Sequence, residues 1–197
     1  MTGAETYPIR RRAAAARILE GRDDLLVIAG LGSPAWDITA AGDSALNFPM
    51  WGAMGGAVSL GLGLAIAQPR RRVLVLTGDG EMLMGLGSLA TVAVQRPSNL
   101  AICVFDNERY GETGMQETHT ASGADLAAIA AGCGIPVTGR VTTPEELDGA
   151  RKTLHETPGP VFQLIKVRAE VLEFALPPKD GAYLKDRFRQ ALLGRND

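Results

Sequence analysis

The chain has 197 residues, with 20 Lys+Arg against 22 Asp+Glu and a formal net charge of -2. That near-balance excludes a general nucleic-acid binder, which needs a basic excess. Hydrophobic residues at 46% and charged residues at 21% exclude whole-chain disorder, and the length suits one large domain.

Arg10 to Leu19 reads as an alanine-rich helix inside an N-terminal segment of residues 1–20. Arg10, Arg11 and Arg12 lead into a polar helix and not an apolar core, so no secretory leader is expected. Asp24 to Ala29 is a short apolar strand buried on both faces. The following Gly30-Leu31-Gly32-Ser33-Pro34-Ala35 fits G-x-G-x-x-A, but no acidic residue ends a second strand about twenty positions on. A nicotinamide-binding module is therefore a weak alternative.

From Phe48 to Gln68 there is no charge, a stretch long enough to cross a bilayer. Five glycines dilute it and Pro49 and Pro69 bracket it, so it reads as a buried, close-packed helix after Met50, with no membrane span. Arg72 to Thr77 is a second buried strand, Glu81 to Gln95 a helix, and Leu100 to Phe105 a third strand. Ala124 to Ala131 is helical, Pro136 to Val141 a strand, and Thr143 starts a helix with Glu145 and Glu146 in its first turn. Val161 to Val167 is a strand, and residues 181–197 close the chain with an amphipathic helix.

Strands and helices alternate, and the strands are continuous apolar runs. That pattern predicts an α/β fold with a mostly parallel sheet and helices on both faces. Ligands of such folds bind beyond the carboxyl ends of the strands, so the loops after Ala29, Thr77 and Phe105 should face one site. Cys103 and Cys133 lie 30 positions apart without a CxxC, too few for a four-cysteine cluster, and Cys103 falls in a strand. Reduced thiols and a cytoplasmic location are the expectation.

Gly78-Asp79-Gly80 is followed by 25 residues and then Asp106-Asn107. Each half ends a buried strand, and the interval holds one helix and a return strand. Asp79 and Asn107 then present two hard oxygen donors side by side, which suits Mg²⁺ completed by phosphate and water. The glycines admit an anion, and the helix beginning near Glu81 aims free N–H groups at it.

This pattern resembles the diphosphate-binding (PP) domain of thiamine diphosphate enzymes, with its GDG…NN motif, here with Asp106 in place of the first asparagine. The resemblance implies thiamine diphosphate and Mg²⁺ as cofactors, a single PP domain over residues 1–197, and metal ligation by Asp79, Asn107 and the Arg109 carbonyl. Gly78, Gly80, Glu81, Tyr110 and Gly111 would flank the diphosphate, with the Glu81 side chain turned to water and only its N–H facing in. Upstream, in Met50-Trp51-Gly52-Ala53-Met54-Gly55, the resemblance makes Met54 the apolar prop of the bent cofactor, with Ala53 beside it and Gly52 offering its carbonyl to the pyrimidine. Taken alone, Trp51 and Met54 would also fit an ordinary core.

The run Tyr110 to Thr120 is similar to the small subunit of sulfopyruvate decarboxylase and to phosphonopyruvate decarboxylase, where TG-x-Q-x-T follows the metal loop. The resemblance implies a 2-oxo acid decarboxylase, a carboxy-lyase. Thr113, Gln116 and His119 are candidate substrate contacts, although His119 also fits a solvated loop position. The activating glutamate of the family sits on a pyrimidine-binding (PYR) domain for which this chain has no room, so a separate PYR-domain subunit is expected, in a hetero-oligomer with two of each chain or more. Leu184, Phe188 and Leu192 in the last helix are a candidate contact surface for it, or pack on their own sheet. Alternatives are the β subunit of a 2-oxoacid:ferredoxin oxidoreductase and a non-catalytic descendant.

Overall fold

The computed structural model describes residues 3–194. A one-turn 3-10 helix at Gly3–Thr6 precedes α1 (Arg11–Leu19), then β1 (Leu26–Ala29), α2 (Ser33–Ala40), β2 (Asn47–Pro49) and α3 (Ala57–Ala67). After these come β3 (Val73–Gly78), α4 (Asp79–Met84), α5 (Gly87–Gln95), β4 (Leu100–Asp106), and a two-residue hairpin of β5 (Arg109–Tyr110) and β6 (Gln116–Glu117). The chain continues through α6 (Leu126–Gly132), β7 (Val137–Val141), α7 (Leu147–Glu156), β8 (Val161–Lys166) and α8 (Gly181–Leu193). Residues 195–197 of the expected last helix lie outside the described residues.

Six strands form one sheet in the order β2-β1-β3-β4-β8-β7, and every pairing within it is parallel. The two faces of β3 divide by the period of two that strands impose. Leu74 and Leu76 join the core under α1, α2 and α7, while Val73 and Val75 join the core under α3, α5 and α6. Local signals agree with the ends of the elements. Asp125 and Asp180 accept backbone N–H groups at the starts of α6 and α8, and Thr143 with Glu146 forms a capping box.

The order places β1 and β3 side by side with their following helices on opposite faces, since Ala35 and Ile38 of α2 lie in one core and Met82 of α4 in the other. A crevice opens there at the carboxyl ends of the strands.

Three expectations are corrected and one open alternative is decided. The uncharged stretch is not one buried helix: it gives β2, a loop and then α3, and α3 leaves Leu60 and Ile66 exposed. Its inner face is close-packed, because a Cβ on Gly61 would fall 2.2 Å from a Val75 methyl. The helix expected over Glu81–Gln95 is broken at Gly85, whose missing Cβ leaves room for the Gly55 carbonyl, 2.3 Å from that position. Leu184 and Phe188 are not a free surface. They are buried, with the Phe188 ring edge-on to Phe48 at 5.6 Å, so this stripe packs on its own sheet. The N-terminal helix begins only at Arg11. Among the described residues no helix is long and apolar enough to cross a membrane, and both cysteines are free thiols.

Candidate active site

The crevice is an open cleft of about 810 Å³, solvent at its mouth included. Three strand-end loops line it. The turn after β1 contributes Leu31, Ser33 and Pro34, the end of β3 contributes Gly78, Asp79, Gly80 and Glu81, and the loop after β4 contributes Asn107, Arg109, Tyr110, Gly111, Glu112 and Thr113. Met54 enters from a fourth segment, and Arg11 with Asp37 closes one end.

Gly78 pairs with Phe105, so parallel register brings Asp79 next to the tip of β4. The Asp79 carboxylate is 2% exposed, and its Oδ2 accepts from the Thr118 hydroxyl at 2.5 Å and the Thr120 hydroxyl at 3.1 Å. Thr120 also donates to Asp106 Oδ1 at 2.8 Å. Burial first, and then the neighbouring Asp106, push the Asp79 carboxyl up to about 7, against the two threonine bonds that pull it down. Asp106 pairs in turn with Lys166 Nζ at 2.7 Å. That ammonium also meets Glu108 at 2.8 Å, and Glu108 accepts from the Tyr7 hydroxyl at 2.6 Å.

Asn107 lies just beyond, its Oδ1 accepting the Arg109 N–H at 3.0 Å. The Arg109 guanidinium turns away toward the Glu108 carbonyl and Glu5. Gly80 is required by space, because a Cβ there would lie 2.5 Å from the Tyr110 ring. The loop after β4 closes onto the β1 turn, where the Glu112 carboxylate comes within 2.8 Å of a Cβ placed on Gly32. A buried carboxylate beside a second one, with an amide oxygen at the next strand tip, is a donor set of hard oxygens. Such a pair is relieved by a divalent cation, and the α4 amino end and glycine turns admit an anion beside it.

Most predicted site residues therefore meet: Gly78, Asp79, Gly80, Glu81, Asn107, Arg109, Tyr110, Gly111, Thr113 and Met54 share one cleft. Gly52 and Ala53 do not line it; both are exposed, and Ala53 turns the chain with a φ of 58°. Gln116 and His119 are exposed and also lie off the lining, with Gln116 bonded back to Thr113. Trp51 is not core. It is 41% exposed, with its indole N–H donating to the Pro178 carbonyl. Glu81 is corrected outright: its side chain is 4% exposed, not turned to water, and accepts from the Thr77 hydroxyl and the Ala57 N–H.

Sequence reasoning missed Thr118, Thr120 and Lys166. The two threonines flank His119, and their spacing of two was the available signal, since it turns both toward Asp79 while His119 faces out. Lys166 carried no local signal, because β8 meets β4 only in the folded sheet.

The family model for the C-terminal TPP binding domain of thiamine pyrophosphate enzymes matches residues 34–164. The chain belongs to this family. The sulfopyruvate decarboxylase subunit beta of Methanothermobacter thermautotrophicus is 37% identical over 189 residues, covering 96% of this chain and 98% of that one. The subunit of the same name from Methanocaldococcus jannaschii is 34% identical, covering 85% and 88%. The phosphonopyruvate decarboxylase of Streptomyces viridochromogenes is 39% identical over 91% of this chain but only 45% of its own length.

Among solved structures, a putative thiamin diphosphate-dependent enzyme from Mycobacterium smegmatis superimposes with a TM-score of 0.69, and the benzoylformate decarboxylase of Polynucleobacter necessarius with 0.67. Both are 21% identical and establish the fold; this chain spans 32% and 34% of their lengths. The Gly30–Ala35 turn, which also fitted a nicotinamide site, lines the thiamine-family cleft through Leu31, Ser33 and Pro34.

Proposed function

We propose that the chain is the PP-domain subunit of a thiamine diphosphate- and Mg²⁺-dependent 2-oxo acid decarboxylase, working with a separate PYR-domain subunit in the cytoplasm. The observation that carries this reading is the buried Asp79 carboxylate, raised by burial and by Asp106, at a strand tip shared with Asn107. Asp79, Asn107 and the Arg109 carbonyl would hold the metal, and Gly78, Gly80 and the α4 amino end would face the diphosphate. Met54 would support the bent ring pair.

When bound, the cofactor supplies a nucleophilic carbon and an electron sink for the bond to carbon dioxide. The chain's own contribution is electrostatic and geometric. Thr118 and Thr120 orient Asp79, Lys166 offsets the Asp106 charge, and Leu31, Met54 and Phe105 give the cleft apolar lining.

The sulfopyruvate decarboxylase relatives are named beta subunits, which supports a counterpart on a second polypeptide. The substrate class follows these relatives: a 2-oxo acid carrying a second anionic group such as sulfonate or phosphonate. The purified pair should release carbon dioxide from such acids in a panel, dependent on Mg²⁺ and thiamine diphosphate. Ferredoxin reduction in place of simple decarboxylation would replace this reading with the oxidoreductase one.

A further inference from the structure

Glu81 is a buried carboxylate in the cleft, and no cation pairs with it among the described residues. Its partners are donors from separate segments. Oε2 accepts the Thr77 hydroxyl of β3 at 2.7 Å, and Oε1 accepts the Ala57 N–H, the first of α3, at 3.3 Å. Burial pushes its carboxyl up, and the Thr77 hydroxyl with the backbone N–H groups of Ala57, Leu31 and Gly55 offsets only part of that rise.

Leu31 belongs to the turn after β1, and Gly55 follows Met54. One side chain thus bonds the end of β3 to the start of α3 and fills the space that Gly30 leaves at the β1 turn, beside the Met54 loop that runs into α3. The Gly56 cap position of α3 supplies no side-chain bond, so Glu81 provides from a distance the acceptor that α3 otherwise lacks. Gly30 makes the room: a Cβ there would stand 1.7 Å from Glu81 Oε2 and 2.7 Å from the Thr77 hydroxyl. Gly30 is not among the positive-φ glycines, so space and not backbone freedom is what its missing side chain provides.

We infer that Glu81 is a positioning residue that locks the Met54 loop and the Leu31 turn against the Asp79 strand tip before any cofactor binds. Its role toward the cofactor rests on the functional reading above, but its role toward the loops does not. Holding these walls in place reduces the ordering that binding would otherwise require. Glu81 should therefore contribute to cofactor affinity through loops it touches rather than by touching the cofactor.

The test is amide hydrogen exchange on the full chain without cofactor. Glu81→Ala should accelerate exchange at Leu31, Gly55 and Ala57 by about tenfold or more, while Val75 and Ile102 in the sheet stay protected. Glu81→Gln should restore most of the protection, since an amide can accept from these N–H groups and donate to Thr77. Gly30→Ala keeps Glu81 but displaces it, and should reproduce the same local pattern. In the presence of the PYR-domain partner and Mg²⁺, thiamine diphosphate affinity should fall about tenfold in Glu81→Ala and recover in Glu81→Gln.

Unchanged exchange at Leu31, Gly55 and Ala57 overturns the inference, and so does a uniform increase over the whole sheet, which marks mere loss of stability. If the local pattern appears while the wild-type pair takes up no thiamine diphosphate, the functional reading fails and takes the cofactor role of Glu81 with it. Wild-type uptake with unchanged exchange sinks the positioning role alone.

Discussion

The Thr118 hydroxyl donates to the Asp79 carboxylate at 2.5 Å, joining the segment that follows the β5–β6 hairpin to the tip of β3. Through Thr120 the same carboxylate connects to Asp106, and through Asp106 to Lys166 of β8. The proposed metal ligand is thus held from behind by a network drawn from four segments of the chain.

Thr118→Val keeps the shape of the side chain but removes the shorter of the two bonds to Asp79. A hydrogen bond to a charged group contributes about 1.5–3 kcal/mol. Mg²⁺-dependent thiamine diphosphate affinity should therefore fall by about tenfold or more in titrations of the complex with its partner. His119→Ala, which alters an exposed neighbour, should leave that affinity unchanged.

Lys166 meets Asp106 at 2.7 Å and Glu108 at 2.8 Å, with Asp106 only 1% exposed. Lys166→Met leaves a buried carboxylate without its cation, a change that costs about 3–5 kcal/mol in comparable pairs. Urea denaturation should show a clear drop in midpoint. A midpoint within error of wild type would remove Lys166 from this network.

Gly85 sits where α4 ends, against the Gly55 carbonyl of the Met54 loop. Gly85→Ala forces backbone apart and should destabilise by about 1–3 kcal/mol. Gly149, in the first turn of α7 with nothing within 4 Å of a Cβ, is the contrasting position. There, alanine should stabilise by about 0.5–1 kcal/mol through helix propensity. Thermal melts of the two variants should move in opposite directions.

The strands were legible because each is an unbroken apolar run, and a parallel sheet buried on both faces demands that. The strand-tip motif was legible for the same reason: Gly78-Asp79-Gly80 and Asp106-Asn107 each stand where such a run stops. What escaped the sequence depends on contacts between distant segments. Gly85 interrupts a helical pattern only because Gly55 arrives there, and Glu81 turns inward only because Gly30 leaves space. The three-residue β2 was hidden in an uncharged stretch whose composition suits a helix equally well. Composition also cannot separate an apolar helix face that meets a partner from one that meets its own sheet, as Phe188 against Phe48 does.

Asp37 has no exposed surface, and burial pushes its carboxyl up to about 6 despite the pull of Arg11 and Arg12. A carboxyl whose value is higher folded than unfolded takes up a proton on folding between the two. Its contribution to stability is therefore greatest at low pH and declines as pH rises from about 4 to about 6. The decline is on the order of 2–3 kcal/mol. Asp37→Asn should flatten that part of the stability–pH curve, measured by denaturation at fixed ionic strength. An identical slope in wild type and variant would contradict the assignment.

The most direct measurement is thiamine diphosphate binding by Asp79→Ala in complex with the partner chain, titrated with and without Mg²⁺. Mg²⁺-dependent binding should fall by about a hundredfold or more. The sheet should stay intact, since the substitution removes a carboxylate that burial and then Asp106 disfavour. Wild-type affinity and unchanged Mg²⁺ dependence in that variant would contradict the metal-ligand role of Asp79.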